Sequence, residues 1–373
     1  MICQMKTNPR IIISGGGTGG HIFPALSIAN SLKELCPDAE ILFVGAEGKM
    51  EMERVPAAGY KIIGLPVAGL QRSLSAKNLA LPAKVIKSIR KAGEIIRDFK
   101  PDVAVGVGGY ASAPLLWSAS HKGIPCLIQE QNSYAGLTNK ILAKRAKCIC
   151  TAYEGMERFF PADRIILTGN PIRKEIAPAT AAEREEGYRF YGLDPHKKTL
   201  FVVGGSLGCG TLNRVMRDWV EHRAAGADYQ VIWQCGKGYK AGVDAFMEGR
   251  SVPNLFYTDF IKRMDLAYAV ADLLVSRAGA GTISELCVAG KATIFVPSPN
   301  VAEDHQTHNA MALVEKNAAM MVRDAEADAK LLDTVEGLID DEARLADLET
   351  NILKLARKDA SEVIAKEVLK LIK

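Results

Sequence analysis

Short apolar, β-branched runs alternate along this chain with longer stretches of helical periodicity. Residues 10–14 (RIIIS), 40–45 (EILFVG), 102–107 (DVAVGV), 125–129 (PCLIQ) and 148–152 (CICTA) read as buried strands, and helical patterns at 22–35, 79–99, 110–122 and 135–146 separate most of them. The pattern restarts after residue 170, with strand-like runs at 199–204 (TLFVVG), 230–235 (QVIWQC), 272–276 (DLLVS) and 292–296 (ATIFV). Strands that are apolar along their whole length and spaced by helices belong to a parallel sheet covered on both faces. The alternation occurs twice, which predicts an α/β protein of two Rossmann-like halves facing each other across a cleft. Pro171, Pro178 and a polar run interrupt the pattern at 168–187, so the domain boundary is placed at 167/168, and residues 324–373 form a charged helical tail.

The strands run into glycine-rich turns at Gly15–Gly20, Gly106–Gly109 and Gly204–Gly210. Ligands of such sheets bind beyond the carboxyl ends of the strands, so these turns are the expected walls of a site. In the first, Gly15, Gly17 and Gly20 satisfy a G-x-G-x-x-G spacing, and a strand leading through glycines into a helix presents backbone N–H groups to an anion. Three nucleotide readings compete. A P-loop requires Lys and then Ser or Thr after the last glycine, where this chain has His21 and Ile22. A dinucleotide fold requires an acidic residue at the end of the second strand, but Glu40 lies at its start and Glu47 beyond its end. The third reading is a sugar-nucleotide enzyme with glycine-rich edges from both halves, and the second half of the chain favours it. There, 200–213 (LFVVGGSLGCGTLN) repeats the strand–glycine–helix element, with Ser206 placed to donate to a phosphate. In 272–297 (DLLVSRAGAGTISELCVAGKATIFVP) a helix is predicted from about Thr282, with Glu285 in its first turn. The N–H groups of Ala280, Gly281 and Thr282 suit a pyrophosphate, and Glu285 is placed either to accept from ribose hydroxyls or simply to cap the helix with Thr282.

Composition narrows the picture further. The 373 residues, 48% hydrophobic and 24% charged, are those of a two-domain globular protein. No apolar run reaches the ~18 residues of a membrane span, and MICQMKTNPR lacks the apolar core of an export signal. Eight scattered cysteines without a C-x-x-C predict reduced thiols. Residues 1–170 carry 21 Lys/Arg against 13 Asp/Glu, and the rest 26 against 30, so the first half is the one expected to meet something anionic. Within it, 67–100 holds eight basic and two acidic residues. Leu81, Val85, Ile89, Ala92 and Ile96 fall there at helical spacing, with Lys84, Lys87, Arg90 and Lys91 around them. Most of this segment reads as a helix packed on its sheet; its start, Leu79–Pro82, is expected to dip into an anionic membrane surface. His305 and His308 make an H-x-x-H, but with no accompanying carboxylate or thiol cluster they read as an ordinary helix start, and no metal site is expected.

Seven segments occur in a fixed order: GGGTGGHIFPALSIA, GVGGYASAP, QEQNSYAGLTNK, GNPIR, GGSLG, SRAGAGTISEL and DHQTHNA. Together they resemble the MurG family of bacterial glycosyltransferases, over residues 10 to 320 with a weaker helical tail. The resemblance implies the GT-B fold, with two Rossmann-like domains across a deep cleft, a 1–167 acceptor domain on which the last helix (355–373) packs back, and a 168–354 nucleotide domain. It implies inverting transfer of N-acetylglucosamine from UDP-N-acetylglucosamine to lipid-linked N-acetylmuramyl-pentapeptide at the cytoplasmic face of the inner membrane. Neither cofactor nor nucleic acid enters this scheme, and the lack of an Asp-x-Asp triplet agrees with a metal-independent reaction. By the resemblance Ser206 and the 280–284 turn (with Ile283 and Ser284) hold the pyrophosphate, Glu285 the ribose and Ile261 the uracil edge. Arg173 faces the nucleotide, and Gln306 binds sugar hydroxyls. Thr18, Gly19, Gly20 and Asn132 reach the donor sugar or the acceptor diphosphate. His21 is the first candidate for the general base and Glu130 the second; a histidine after a glycine turn also serves as a cap or phosphate contact. Departures from the family pattern are Gln129 in place of a His, Leu207 and Cys209 in the second glycine loop, and the basic FIKRM at 260–264. The alternatives are another GT-B enzyme, such as a UDP-N-acetylglucosamine epimerase, and an NAD-dependent oxidoreductase.

Overall fold

The computed structural model describes residues 7–17, 19–67, 81–205 and 207–372. Thr18, Ser206 and Leu79–Ala80, singled out above, lie outside the described residues. Packing divides the chain into two units, one running to Ile172 and rejoined by the residues from Arg357 onward, the other spanning Arg173–Ala356.

In the first unit the elements are β1 (Arg10–Ser14), α1 (Gly19–Leu35), β2 (Glu40–Ala46), α2 (Glu51–Ala57), β3 (Lys61–Leu65), α3 (Leu81–Phe99), β4 (Val103–Gly106), α4 (Ser112–His121), β5 (Cys126–Glu130), α5 (Leu137–Leu142), β6 (Cys148–Thr151) and β7 (Ile165–Leu167). The second contains α6 (Ala181–Tyr191), β8 (Thr199–Val203), α7 (Gly210–His222), β9 (Gln230–Gln234), α8 (Lys240–Met247), β10 (Leu255–Thr258), α9 (Met264–Val270) and β11 (Leu273–Ser276). It continues with α10 (Ala280–Ala289), β12 (Thr293–Phe295), α11 (His305–Val314), β13 (Met320–Met321), α12 (Ala327–Ile339) and α13 (Glu342–Leu353). The last helix, α14 (Ala360–Lys370), belongs to the first unit.

The sheets are ordered β3-β2-β1-β4-β5-β6-β7 and β10-β9-β8-β11-β12-β13, and every pair is parallel. The β1 triplet shows why both faces must be covered. Ile11 and Ile13 point into a core with Ala25, Ile28 and Leu32 of α1 and with Ile364, Ala365 and Val368 of α14. Ile12 points the other way, to Ile95 and Ile96 of α3 and Leu115 and Leu116 of α4. Full burial of a side chain such as Ile364 contributes about 1.5–3 kcal/mol, which holds α14 against α1 although more than 300 residues separate them in sequence. In the second unit Leu200 and Val202 of β8 pack with Leu212, Met216 and Trp219 of α7 and Leu331 and Val335 of α12.

All nine predicted strands are interior strands of the two sheets, whereas β3, β7, β10 and β13, which the pattern did not reveal, are the four edges. An edge strand is solvated along one side and needs no continuous apolar run; β10 is half-buried throughout, and β3 is buried only at Gly64 and Leu65. The short helix α2, with Pro56 inside it, also gave no periodic signal. The seven described cysteines are free thiols, and the sulfurs of Cys148 and Cys150 lie 3.9 Å apart in the core.

Candidate active site

In each sheet the strand order reverses between two central strands, β1 and β4 in the first unit and β8 and β11 in the second. Ligands of open α/β sheets bind at such a point, beyond the carboxyl ends of the strands. In the first unit the turns there are Gly15–Gly17 and Gly106–Gly109, and they touch. A Cβ built on Gly109 (φ +87°) would lie 2.3 Å from the Gly16 carbonyl oxygen, so only glycine fits there. A Cβ on Gly108 would lie 2.6 Å from Cδ2 and 2.8 Å from Nε2 of His21, so the imidazole rests directly on that backbone. Ser112 ties the turns together, its hydroxyl reaching the carbonyls of Ser14 at 3.0 Å and Gly108 at 2.8 Å. Gly19, Gly20 and His21 form the first turn of α1, where backbone N–H groups have no partner within the helix.

A second feature of this unit is the loop after β5. Glu130 is buried and accepts from the backbone N–H of Asn132 (3.1 Å) and Gly136 (3.1 Å) and from the amides of Asn132 (3.3 Å) and Asn139 (2.9 Å). Burial pushes its pKa up, and these four donors oppose the rise. Behind it Gln129 donates to Asn170 at 2.9 Å, Gln131 donates to Gln129 at 2.6 Å, and Asn170 donates to the Gln131 carbonyl at 3.0 Å. The Gln129 that departs from the family pattern is thus a link in a buried amide network.

In the second unit α10 begins at Ala280, two residues earlier than predicted, with extended Gly279 as its N-cap and no side-chain cap. Glu285 therefore sits in the second turn and does not cap the helix with Thr282. Its carboxylate instead receives two hydrogen bonds from Arg173, Nε to Oε1 and Nη2 to Oε2, both 2.7 Å, and a third from the Tyr268 hydroxyl at 3.2 Å. Glu285 holds Arg173 protonated beyond its ordinary range, and burial pushes the Tyr268 phenol well above its own. Ile283 is the first residue of α10 to donate back along the helix, to Gly279 at 2.9 Å, which leaves the N–H groups of Ala280, Gly281 and Thr282 unpaired within the helix. A Cβ on Gly281 would meet nothing within 4 Å. The Ser284 hydroxyl is turned back to the Ala280 carbonyl at 3.0 Å. On the next turn of the chain Gln306, in the first turn of α11, accepts from the Ser298 N–H at 2.9 Å. Ile261 is buried, 3% exposed.

Residues 11–151 match the glycosyltransferase family 28 N-terminal domain, and residues 199–365 match the family's C-terminal domain. A Bacteroides fragilis protein named UDP-N-acetylglucosamine--N-acetylmuramyl-(pentapeptide) pyrophosphoryl-undecaprenol N-acetylglucosamine transferase is 58% identical over 363 residues, covering 97% of this chain and 95% of its own. A Flavobacterium psychrophilum protein of the same name is 47% identical, covering 97% of this chain and 98% of its own. Among solved structures, Acinetobacter baumannii MurG superposes with a TM-score of 0.79 at 27% identity, over 97% of this chain and 99% of that one. The chain belongs to the MurG family. It is a hexosyltransferase of GT-B fold. The Neisseria meningitidis UDP-GlcNAc 2-epimerase, at 12% identity and a TM-score of 0.65, shares the fold alone.

Within this MurG-family frame, the predicted residues fall into separate clusters. His21, Gly19 and Gly20 share one turn; Glu130 and Asn132 bond to each other; Arg173 and Glu285 are paired at the open end of α10. Gln306 lies on α11, and Ile261 in the loop between β10 and α9. Arg263 of the basic FIKRM segment is bound by Asp265 and Glu186, so its charge is spent within the fold. Two residues that hold these clusters were missed. Tyr268 reads in sequence as one more apolar helix position, and Glu51 as one acid among several in GKMEMER. Neither belongs to a motif; only the tertiary contact singles them out.

Proposed function

We propose that the protein transfers N-acetylglucosamine from UDP-N-acetylglucosamine to the 4-hydroxyl of undecaprenyl-pyrophosphoryl-N-acetylmuramyl-pentapeptide, with inversion at the anomeric carbon, in peptidoglycan synthesis. The observation that carries this reading is the 58% identity, over 97% of the chain, to a transferase named for those substrates. The second unit is assigned the nucleotide. The N–H groups of Ala280, Gly281 and Thr282 are assigned the pyrophosphate, together with Ile283, Ser284 and Ser206. Negative charge builds on UDP as it leaves, and fixed N–H dipoles stabilise it without reorganising. Glu285 takes the ribose hydroxyls beside Arg173, Ile261 meets the uracil edge and Gln306 the sugar. The first unit is assigned the acceptor, with Thr18, Gly19, Gly20 and Asn132 toward its diphosphate and the donor sugar. His21 accepts the proton of the attacking hydroxyl, a task suited to an imidazole near neutral pH. Glu130, whose two oxygens already receive four donors, is assigned to ordering the loop that carries Asn132.

The lipid acceptor supports assigning the protein to the cytoplasmic face of the inner membrane as a peripheral protein. No helix among the described residues is long and apolar enough to cross a membrane. Early in α3, Val85 and Ile86 are 48% and 68% exposed beside Lys84, Lys87 and Arg90, a composition suited to an anionic lipid surface.

The reading is tested by UDP release from UDP-N-acetylglucosamine with and without the lipid-linked acceptor. Release that depends on acceptor is expected; release independent of acceptor, or none, overturns the assignment. In the same assay His21→Ala is expected to lower turnover by roughly 100-fold or more, the scale of general base catalysis, while UDP binding survives. Near-normal turnover would remove His21 from proton transfer.

A further inference from the structure

We infer that Glu51 is a positioning residue for the acceptor half of the reaction, an internal carboxylate that sets the seat of His21. The inference rests on the acceptor assignment above. Glu51 opens α2 and is 0% exposed. Its side chain runs beneath the first glycine turn, where Oε2 accepts the Gly17 N–H at 3.0 Å and Oε1 accepts the Ala46 N–H at 2.9 Å. The carboxylate thus latches the turn after β1 to the end of β2. Two glycines make room for it: a Cβ on Gly16 would lie 2.2 Å from Oε1, and one on Gly45 2.5 Å from Cγ. Gly16 in turn meets Gly109, and Gly108 carries the His21 ring. A continuous line of contacts therefore runs from the Glu51 carboxylate through the backbone of Gly16 and of the Gly108–Gly109 turn to the imidazole, with no other side chain between its two ends.

The latch also decides what the glycine turn offers a ligand. The Gly17 N–H points inward to Glu51, so it is not presented to a phosphate, and a carboxylate behind the turn opposes a second anion in front of it. The acceptor diphosphate is left to the first-turn N–H groups of α1, at Gly19 and Gly20, and the Gly15–Gly17 turn faces an uncharged part of the acceptor.

The test uses Glu51→Gln, which keeps the volume but puts an NH2 where one of the two accepting oxygens stood. Its turnover is expected to fall roughly 10- to 100-fold, the span of a lost hydrogen bond to a charged group. The KM for UDP-N-acetylglucosamine should stay within about twofold, since the nucleotide residues lie in the other unit. Hydrogen exchange at the Gly17 and Ala46 amides should speed up, a readout that needs no turnover. Glu51→Asp, which retains two accepting oxygens on a shorter stem, should recover part of the loss. In a His21→Ala background Glu51→Gln should lower the residual turnover less than about threefold, because two residues acting through one seat are not additive. An undiminished effect in that background assigns Glu51 a general structural role and overturns the inference, as does wild-type turnover of Glu51→Gln. Wild-type protein without acceptor-dependent UDP release instead overturns the acceptor reading, and unchanged amide exchange at Gly17 then overturns the latch as well.

Discussion

At the scale of single residues, the carboxylate of Glu285 is held by three donors in the unit assigned the nucleotide. A carboxylate offers about four lone-pair sites. Arg173 takes two and Tyr268 a third, which leaves one for the ribose hydroxyls proposed above. The Tyr268 phenol, buried and held far above its ordinary pKa, remains a donor at any working pH. Tyr268→Phe removes that donor but leaves the Arg173 pair, so the carboxylate loses one of its restraints. An expected cost of about 1 kcal/mol corresponds to a roughly fivefold rise in the KM for UDP-N-acetylglucosamine with turnover little changed, measured by initial rates. An unchanged KM would mean that the Arg173 pair alone orients Glu285.

At the scale of elements, α10 joins the candidate site at one end to a buried charge at the other. Gly290 ends the helix in the left-handed conformation, and the next residue, Lys291, is buried with its ammonium donating to the Ala271 carbonyl at 2.8 Å. Burial lowers its pKa below 10.5; Glu349 and Asp272 oppose the shift and Arg184 adds to it. The folded protein therefore releases this proton at a lower pH than the unfolded chain. Between those two pKa values the unfolded state binds more protons, so stability gained from this group rises with pH and is lost as pH falls through the folded value. Comparing the melting temperatures of the wild type and Lys291→Met at pH 7 and pH 10 isolates the term. The wild type should gain on the variant as pH rises, and a difference moving the other way would refute the assignment. The legibility of the elements follows a similar logic of burial. Interior strands such as β1 and β11 announce themselves because both faces are apolar, whereas the edges β3 and β10 are half-solvated and carry no such run. The start of α10 was misplaced because Gly279–Ala280–Gly281 has low helix propensity and no side-chain cap, and only the paired backbone shows the helix beginning there.

At the scale of the whole molecule, charge is divided unevenly between the halves, and the basic surface of α3 belongs to the unit assigned the lipid acceptor. Each basic residue near an anionic surface contributes about 1 kcal/mol. Reversing Lys84, Lys87 and Arg90 to Glu should therefore weaken binding to anionic vesicles by roughly 100-fold or more, read by co-sedimentation, with weak and unaltered binding to zwitterionic vesicles. Binding indifferent to lipid charge or to these residues would refute the membrane assignment.

The sequence by itself determined the alternation of strand and helix, the doubling of the unit, the glycine turns that end the central strands, and the ordered motifs that mark the family. Those are local patterns, written in the period of apolar positions and in the residues that a tight turn requires. Tertiary structure alone decided which groups meet across long stretches of chain. Arg173 finds Glu285 at a separation of 112 residues, and Gly17 finds Glu51 at 34. Glutamate is common and mostly exposed, so nothing local separates Glu51 from its neighbours; it acquires its role only when packing removes it from water and brings it the donors it must have.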